Sequence, residues 1–273
     1  PADLAAIRLQ PHRLAGLNGS AALTALSARL GGRNWHAAAL RGRLAGGEAR
    51  LEDFSVALGR GTMSVKATLA PANDGGQLDL EARLSKASMS EIARELGGAG
   101  TEIRGRVDGR ATLSMAGPTV GAALARSSGA AVITLRDGRI ARNLVEELST
   151  DLRSLFRETG GTVPVSCLLG VLTVSDGLGL LSPLRLESQE AIATGAGNVD
   201  LAQDKLDVTI RTERDSTDFL ALDMPVRISG PFNRLSARPL VGGNEDWPRQ
   251  PTPASRRLPP ELHEMADGSP CSE

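Results

Sequence analysis

Hydrophobic and polar residues alternate with a period of two along most of this chain, as in QLDLEARL and TEIRGRVDGRATLSMAG. Such alternation is typical of strands with one face buried and the other in water. The apolar positions of the clearest runs are Leu78, Leu80, Ala82 and Leu84; Ile103, Val107, Ala111, Leu113 and Met115; and Leu206, Val208 and Ile210. Each of these sets is predicted to lie on one face of a sheet.

Short turn signals separate the alternating runs. They include Gly46-Gly47, Asn73-Asp74-Gly75-Gly76, Asp137-Gly138 and Asp176-Gly177. Strands joined by such short turns pair with their sequence neighbours in antiparallel order. The sequence therefore predicts a mainly β (α+β) fold, a long twisted antiparallel β-meander with one apolar face that forms an open groove or an incompletely closed barrel.

Two or three short helices are expected to cover part of the apolar face. Residues 88–91 read Ser-Met-Ser-Glu, a capping box that begins a helix with Ile92 and Leu96 on one side. A longer helix is predicted over 143–157 and a shorter one within 118–128. After Pro239 the composition changes, because seven of the 15 prolines lie in the last 35 residues. We expect 241–273 to be a disordered tail.

The apolar face must be covered by something. A second sheet, covering helices and a bound apolar ligand are the three solutions, and the alternation of residues does not choose among them. If the face is an open groove, the three apolar sets named above line it.

Composition narrows the classes of function. The 273 residues include 31 Lys and Arg against 32 Asp and Glu, a net charge of −1, which argues against a generic nucleic-acid or anionic-membrane binder. Aromatic residues make up only 2%. Leu, Val, Ile and Ala must then form any apolar surface, which can hold a flexible chain but has few groups to specify a shaped ligand.

Candidate chemistry is sparse. The three histidines, His12, His36 and His263, are far apart, and neither a nucleophile elbow nor a phosphate-binding lysine loop occurs. The glycine-rich stretch 194–198 continues an alternating pattern, which favours a strand with close backbone approach. We therefore expect no enzyme activity, no cofactor and no metal site.

Neither the two cysteines nor the row of arginines in the sequence requires a functional explanation. Cys167 lies in an apolar strand pattern and Cys271 in the tail, which predicts no disulfide framework and leaves the redox compartment undecided. Arg104, Arg106 and Arg110 line one side of a long strand. A wet sheet face explains this row, and contact with a lipid headgroup or a partner is the minority alternative.

The order of these signals over residues 35–239 resembles the C-terminal module of the AsmA family. Two pieces carry the resemblance most specifically: Gly-x-Gly-x-Val-Asp-Leu at 195–201 and the closing Val-x-Ile-x-Gly…Pro at 226–239. The resemblance implies a β-rich module over residues 1–240, with a candidate sub-boundary near 116–130, followed by the tail. No catalytic residues are carried over from the family.

The resemblance also implies a place and a role. AsmA-like proteins of Gram-negative bacteria are anchored in the inner membrane by an N-terminal helix, extend into the periplasm and support outer-membrane biogenesis. The expected partners are phospholipid acyl chains, the inner membrane through a segment absent from this chain, and an outer-membrane or periplasmic protein, but no nucleic acid. We expect lipid shielding in an apolar groove; the alternative is a closed module that assists outer-membrane protein assembly without bound lipid.

Overall fold

In the part of the chain that the structure describes, thirteen antiparallel strands follow one another in chain order, and each pairs with its neighbours in sequence. The computed structural model describes residues 4–30, 33–95, 103–141, 162–188, 192–213, 225–232, 234–240 and 258–272. The strands are β1 (Gly19–Leu30), β2 (Arg33–Ala45), β3 (Glu48–Leu58), β4 (Gly61–Ala72), β5 (Gly75–Ser88), β6 (Ile103–Gly117), β7 (Ser128–Ala141), β8 (Thr162–Ser175), β9 (Leu178–Ser188), β10 (Ile192–Asp200), β11 (Lys205–Glu213), β12 (Val226–Pro231) and β13 (Ser236–Pro239).

The sheet is open. Within the described residues, β1 pairs only with β2, and β13 pairs only with β12, so the two ends of the meander are not joined to each other. The predicted mainly β meander with one apolar face is therefore confirmed, including its incomplete closure. β6 and β7, on either side of 116–130, are neighbours in this sheet.

The turns follow the predicted chemistry with one exception. Gly46 and Gly47 connect β2 and β3 with φ values of 58° and 83°, and Asp176 and Gly177 connect β8 and β9 with φ values of 51° and 74°. These left-handed conformations match the right-handed twist of hairpin strands. Asp137-Gly138 is different, because β7 continues through it to Ala141. Asp137 has a φ of 52° and the register shifts there, so the expected turn is a β-bulge.

Two short α-helices lie against the middle of the sheet. Helix α1 (Met89–Glu95) begins where the capping box predicts, and α2 (Val120–Leu124) falls within the predicted 118–128 segment. The Thr119 hydroxyl caps α2 by accepting a hydrogen bond from the Ala122 amide at 3.2 Å. Two 3₁₀-helices, Leu4–Ala6 and Pro11–Leu14, precede β1. The predicted 143–157 helix lies outside the described residues.

The expectation of a wholly disordered 241–273 tail is wrong for its last part. Helix α3 (Pro260–Asp267) packs Leu262 and Ala266 against β7 and β8, and both side chains are buried. These two residues are four positions apart and so share one helix face, a short apolar stripe that the surrounding prolines obscure. Residues 241–257 lie outside the described part of the chain.

A disulfide secures this helix, contrary to the expectation that the two cysteines give no disulfide framework. Cys167 of β8 is bonded to Cys271, four residues beyond α3, across a sequence separation of 104. Neither sequence position indicates the other as its partner, because the pairing depends on where α3 docks. Both cysteines are buried in the same cluster as Leu262 and Ala266.

Candidate functional site

One face of the sheet carries apolar side chains on the strands from β1 to β12. The register places Leu23 opposite Leu40, Leu40 opposite Phe54, and Phe54 opposite Val65. The row continues from Val65 through Ala82, Ala111, Ala131, Leu172, Leu181, Gly197, Val208, Ile228 and Ala237. We call this surface the inner face.

The middle of the inner face is only partly covered. Leu40, Phe54, Val65, Ala111 and Leu172 are all half-buried. A second sheet packed on top would bury such side chains almost completely, as the two inner faces of a sandwich bury each other. The inner face is therefore an open groove that runs across the strands.

Small residues form part of the groove floor. Ala82, Ala111 and Ala131 lie side by side on β5, β6 and β7. In the neighbouring row, Gly109 of β6 lies between Leu84 of β5 and Ile133 of β7. Since these side chains reach little above the backbone, they leave a shallow channel between the bulkier rows.

The two margins of the groove are closed by apolar clusters near β5–β7. At one margin Val107, Leu135 and Val165 are buried, with Met89 and Ile92 of α1 packed against them. At the opposite margin Leu9, Met115 and Ala123 are buried, and Val120 and Leu124 of α2 pack there. Helices α1 and α2 therefore act as the two side walls of the groove.

A cavity of about 610 Å³ opens from the groove near its β1 end. Leu14 of the second 3₁₀-helix lies over it, and its floor comes from inner-face residues of β1–β5 that include Leu44, Leu51, Leu69 and Leu78. Its wall is overwhelmingly apolar, with Asn18 and Ser20 among the few polar residues at its edge. A cavity of this size and lining is of the kind that holds an apolar ligand.

The structure brings the predicted groove residues onto this face. Leu78 lies opposite Met115, Leu80 opposite Leu113, and Ala82 opposite Ala111, while Leu84 lies opposite Gly109. Leu206, Val208 and Ile210 lie on the same face of β11, separated from β6 by β7–β10. Ile103 is placed by its backbone opposite Ile140. That these residues contact lipid stays a prediction.

Three of the predicted residues are not accessible from the groove. Val107 has no exposed surface, Met115 exposes 5% and Val208 exposes 3%. Val107 and Met115 belong to the two marginal clusters, where α1 and α2 cover them. Sequence reasoning missed the inner-face residues of β8 and β9, such as Leu172 and Leu184. The alternation along β9 is interrupted by an extra residue between Leu181 and Leu184, and β8 carries apolar residues on both of its faces.

The opposite, outer face carries mostly polar side chains on β4–β6, and beneath α3 it is apolar. There Ala130, Val132, Leu169 and Val171 of β7 and β8 form a buried patch with α3 and the Cys167–Cys271 disulfide. Arg110 forms an ion pair with Glu261 at the start of α3, and the Arg136 guanidinium donates a hydrogen bond to the Gly268 carbonyl at 3.1 Å. This small core is separate from the groove.

Arginines directly oppose one another at several places in the sheet. These cross-strand pairs are Arg43–Arg50, Arg83–Arg110, Arg104–Arg139, Arg106–Arg136 and Arg227–Arg238. In four of them one member has a carboxylate partner: Arg50 with Glu48, Arg110 with Glu261, Arg106 with Asp137 and Arg227 with Asp207. Like charges directly opposite each other destabilise a sheet, and these carboxylates offset that cost.

One ion pair of the described sheet shifts the pKa of its carboxyl group. Hydrogen bonds from Arg227, with Nε at 2.7 Å from the Asp207 Oδ1, hold the pKa of Asp207 below its ordinary value, against the opposing effect of burial. His12, His36 and His263 are all exposed. Ligand atoms of Cys167, Cys271 and Glu187 lie within 4.8 Å of one another, but the two sulfurs are bonded to each other.

Among the residues that the structure describes, none of the helices is both long enough and apolar enough to cross a membrane.

The fold and the groove define a class, an open antiparallel meander whose one apolar face is left largely uncovered. The chain is similar to the AsmA family protein YhjG of Escherichia coli (strain K12), with 25% identity over 146 residues. This match covers 50% of the chain and 21% of the relative's length. It supports the AsmA-like relationship indicated by the sequence. No protein-family model and no solved structure matches the chain.

Proposed function

We propose that this chain is a non-enzymatic module of the bacterial envelope that shields phospholipid acyl chains in its groove during transport between membranes. The observation that carries the proposal is the apolar inner face, whose row of side chains from Leu40 on β2 to Leu172 on β8 is half-buried. Soluble proteins rarely leave so large an apolar surface without an occupant. A phospholipid acyl chain is long, flexible and apolar, and so matches a groove that runs across many strands.

Shielding an acyl chain from water requires no chemical reaction. Each methylene kept from water contributes roughly 0.8 kcal/mol. The shallow channel at Ala82, Ala111 and Ala131 offers backbone and methyl contacts with no polar group that would select one chain over another. The groove should therefore accept acyl chains of different length and saturation.

Two observations support a periplasmic location. Disulfides form and persist in oxidising compartments such as the bacterial periplasm, and this chain joins Cys167 to Cys271. The AsmA-like relationship points to the envelope of Gram-negative bacteria. The match spans only about a fifth of the relative's length, so attachment to the inner membrane through another segment is part of the proposal.

We also propose that this chain has no enzyme activity. The pKa of Asp207 is lowered chiefly by its hydrogen bond with Arg227, and this pair lies on the outer face, away from the groove. Acids and bases cluster at active sites, whereas the inner-face row from Leu23 to Ile228 consists of apolar residues and glycine.

Photocrosslinking tests the proposal with two adjacent positions. A photoreactive side chain replaces Ala111, on the inner face, or Thr112, on the outer face of the same strand. Each purified protein is irradiated in a Gram-negative host extract containing labelled phospholipid. We expect a lipid adduct at 111 and none at 112. Equal labelling, or labelling only at 112, would refute the assignment of the groove.

A second candidate function rests on the edge of the sheet. β1 has an unpaired edge within the described residues, and its Leu23 and Leu26 are 62% and 93% exposed. An unpaired strand edge is a template for a strand of another protein. This candidate is a protein-interaction module that assists outer-membrane protein assembly, and it predicts protein adducts near Leu26 with no lipid adduct at 111.

A further inference from the structure

We propose that the outer face at the Arg104 end of β6 docks on a bilayer surface rich in anionic phospholipid, and that Arg104 and Arg139 make the principal contacts. This surface lies on the polar side of β6 and β7, away from the groove. It is therefore a second site, and it does not depend on the groove holding lipid.

Four arginines converge there because of the bulge in β7. Arg106 lies opposite Arg136, and the register shift at Asp137-Gly138 then brings Arg139 opposite Arg104. Gly105, with a φ of 145°, adapts β6 to the bulge. Neighbouring strands are about 4.8 Å apart, so the four side chains leave the backbone from one small area. All four are exposed.

The charge of this patch is not balanced. Asp137 forms an ion pair with Arg106, and the Arg136 guanidinium reaches the Gly268 carbonyl. Arg139 donates a hydrogen bond to the Thr162 hydroxyl at 3.4 Å, and among the described residues neither Arg104 nor Arg139 has a carboxylate partner. This is the one cross-strand arginine pair of the described sheet without such a partner, so an external anion would remove the repulsion.

The chemistry of the patch favours phosphate on a surface. The planar guanidinium binds phosphate oxygens through two parallel hydrogen bonds. Between the arginines the chain carries only Gly105, Asp137 and Gly138, with no aromatic or aliphatic side chain. A protein interface is normally anchored by buried apolar or aromatic residues, which this patch lacks. An array of lipid phosphates needs no such anchor.

The net charge of −1 does not oppose this assignment. Charges separated by more than the Debye length, about 8 Å at physiological ionic strength, are screened from one another. A docking surface therefore responds to its local charge, and the local charge here is positive.

Vesicle flotation of the full chain tests the proposal. The protein is mixed with phosphatidylcholine vesicles, or with the same vesicles containing phosphatidylglycerol. We expect binding only to the anionic vesicles, with weakening as salt is raised. The double variant Arg104→Gln/Arg139→Gln should bind roughly 30-fold more weakly. The matched control Arg234→Gln/Arg238→Gln removes the same charge from exposed positions at the β13 end and should bind like the unaltered chain.

Several results would overturn the proposal. They are equal binding to neutral and anionic vesicles, an equal loss in both double variants, displacement by millimolar inorganic phosphate, and tighter Arg104-dependent binding to poly-glutamate than to vesicles. The last two would assign the patch to a free anion or to an acidic protein.

Phospholipid that copurifies in the groove should be unchanged in Arg104→Gln/Arg139→Gln. If the unaltered chain carries no copurifying phospholipid, that result counts against the groove and not against this docking surface.

Discussion

Cys167 of β8 is bonded to Cys271, and this disulfide holds α3 over an apolar patch of the outer face. The patch, formed by Ala130, Val132, Leu169 and Val171, is thereby buried without help from the inner face. The molecule has a small closed core on one side of the sheet and an uncovered apolar groove on the other. Stability and ligand binding can therefore be altered separately.

Removal of the disulfide should weaken the fold without emptying the groove. Cys271→Ser opens a loop that spans 104 positions, and we expect a loss of about 2–4 kcal/mol in the free energy of unfolding. Urea denaturation with and without reductant measures it. Reductant should destabilise the unaltered chain by a similar amount and leave Cys271→Ser unaffected. A further loss in the reduced variant would mean that reductant acts elsewhere.

Two charged substitutions on the inner face should behave differently. Val107 has no exposed surface and is packed with Leu135 and Val165, so Val107→Asp buries an unpaired carboxyl and should cost more than about 4 kcal/mol. Leu80 is half-buried, and Leu80→Asp should cost roughly 1–2 kcal/mol while expelling bound lipid. Denaturation and lipid analysis of both variants separate these effects. Equal unfolding of the two would indicate that the groove is a covered core.

The close approach of β10 to β11 favours glycine at position 197. A Cβ on Gly197 would lie 2.1 Å from the Asp207 carbonyl oxygen, which belongs to the backbone and cannot move aside. Gly197→Ala should therefore cost about 1–3 kcal/mol. A Cβ on Gly195, two residues earlier, would meet nothing closer than 3.2 Å, so Gly195→Ala is the control with a smaller loss. Comparable losses in thermal unfolding would contradict this explanation.

The pair formed by Asp207 and Arg227 should give a small acid-dependent stabilisation. The folded-state pKa of Asp207 lies below its ordinary value of 3.8, chiefly because Arg227 donates hydrogen bonds to the carboxylate. The stabilisation is complete above pH 3.8 and is lost as the pH falls through the lowered folded-state pKa. Because both side chains are nearly half exposed, we expect less than about 1 kcal/mol at neutral pH. Asp207→Asn should remove it, and the difference from the unaltered chain should vanish in acid.

Much of the fold could be predicted from the alternation of residues. The period of two places Leu78–Leu84 and Ile103–Met115 on one face, and the structure pairs these runs directly. Alternation does not reveal a bulge, however, because a bulge is a local shift of register. Asp137-Gly138 therefore suggests a turn in the sequence, and only the pairing of Arg104 with Arg139 shows that the strand continues.

The candidate site was harder to predict than the fold. Residues on one face share a pattern, but their accessibility depends on the elements packed over them. Helices α1 and α2 bury Val107 and Met115 while Ala111, between them on the same strand, stays half-exposed. The disulfide was equally hidden, since Cys271 reaches Cys167 only through the docking of α3.

The most direct measurement of the central claim is the phospholipid content of the purified chain by mass spectrometry. The unaltered chain should carry phospholipid from a Gram-negative host. Ala111→Phe fills the channel between Ala82 and Ala131 and should lower the lipid-to-protein ratio several-fold, whereas Thr112→Phe, on the outer face of the same strand, should leave it unchanged. A folded, unaltered chain without phospholipid, or equal ratios in the two variants, would contradict the account.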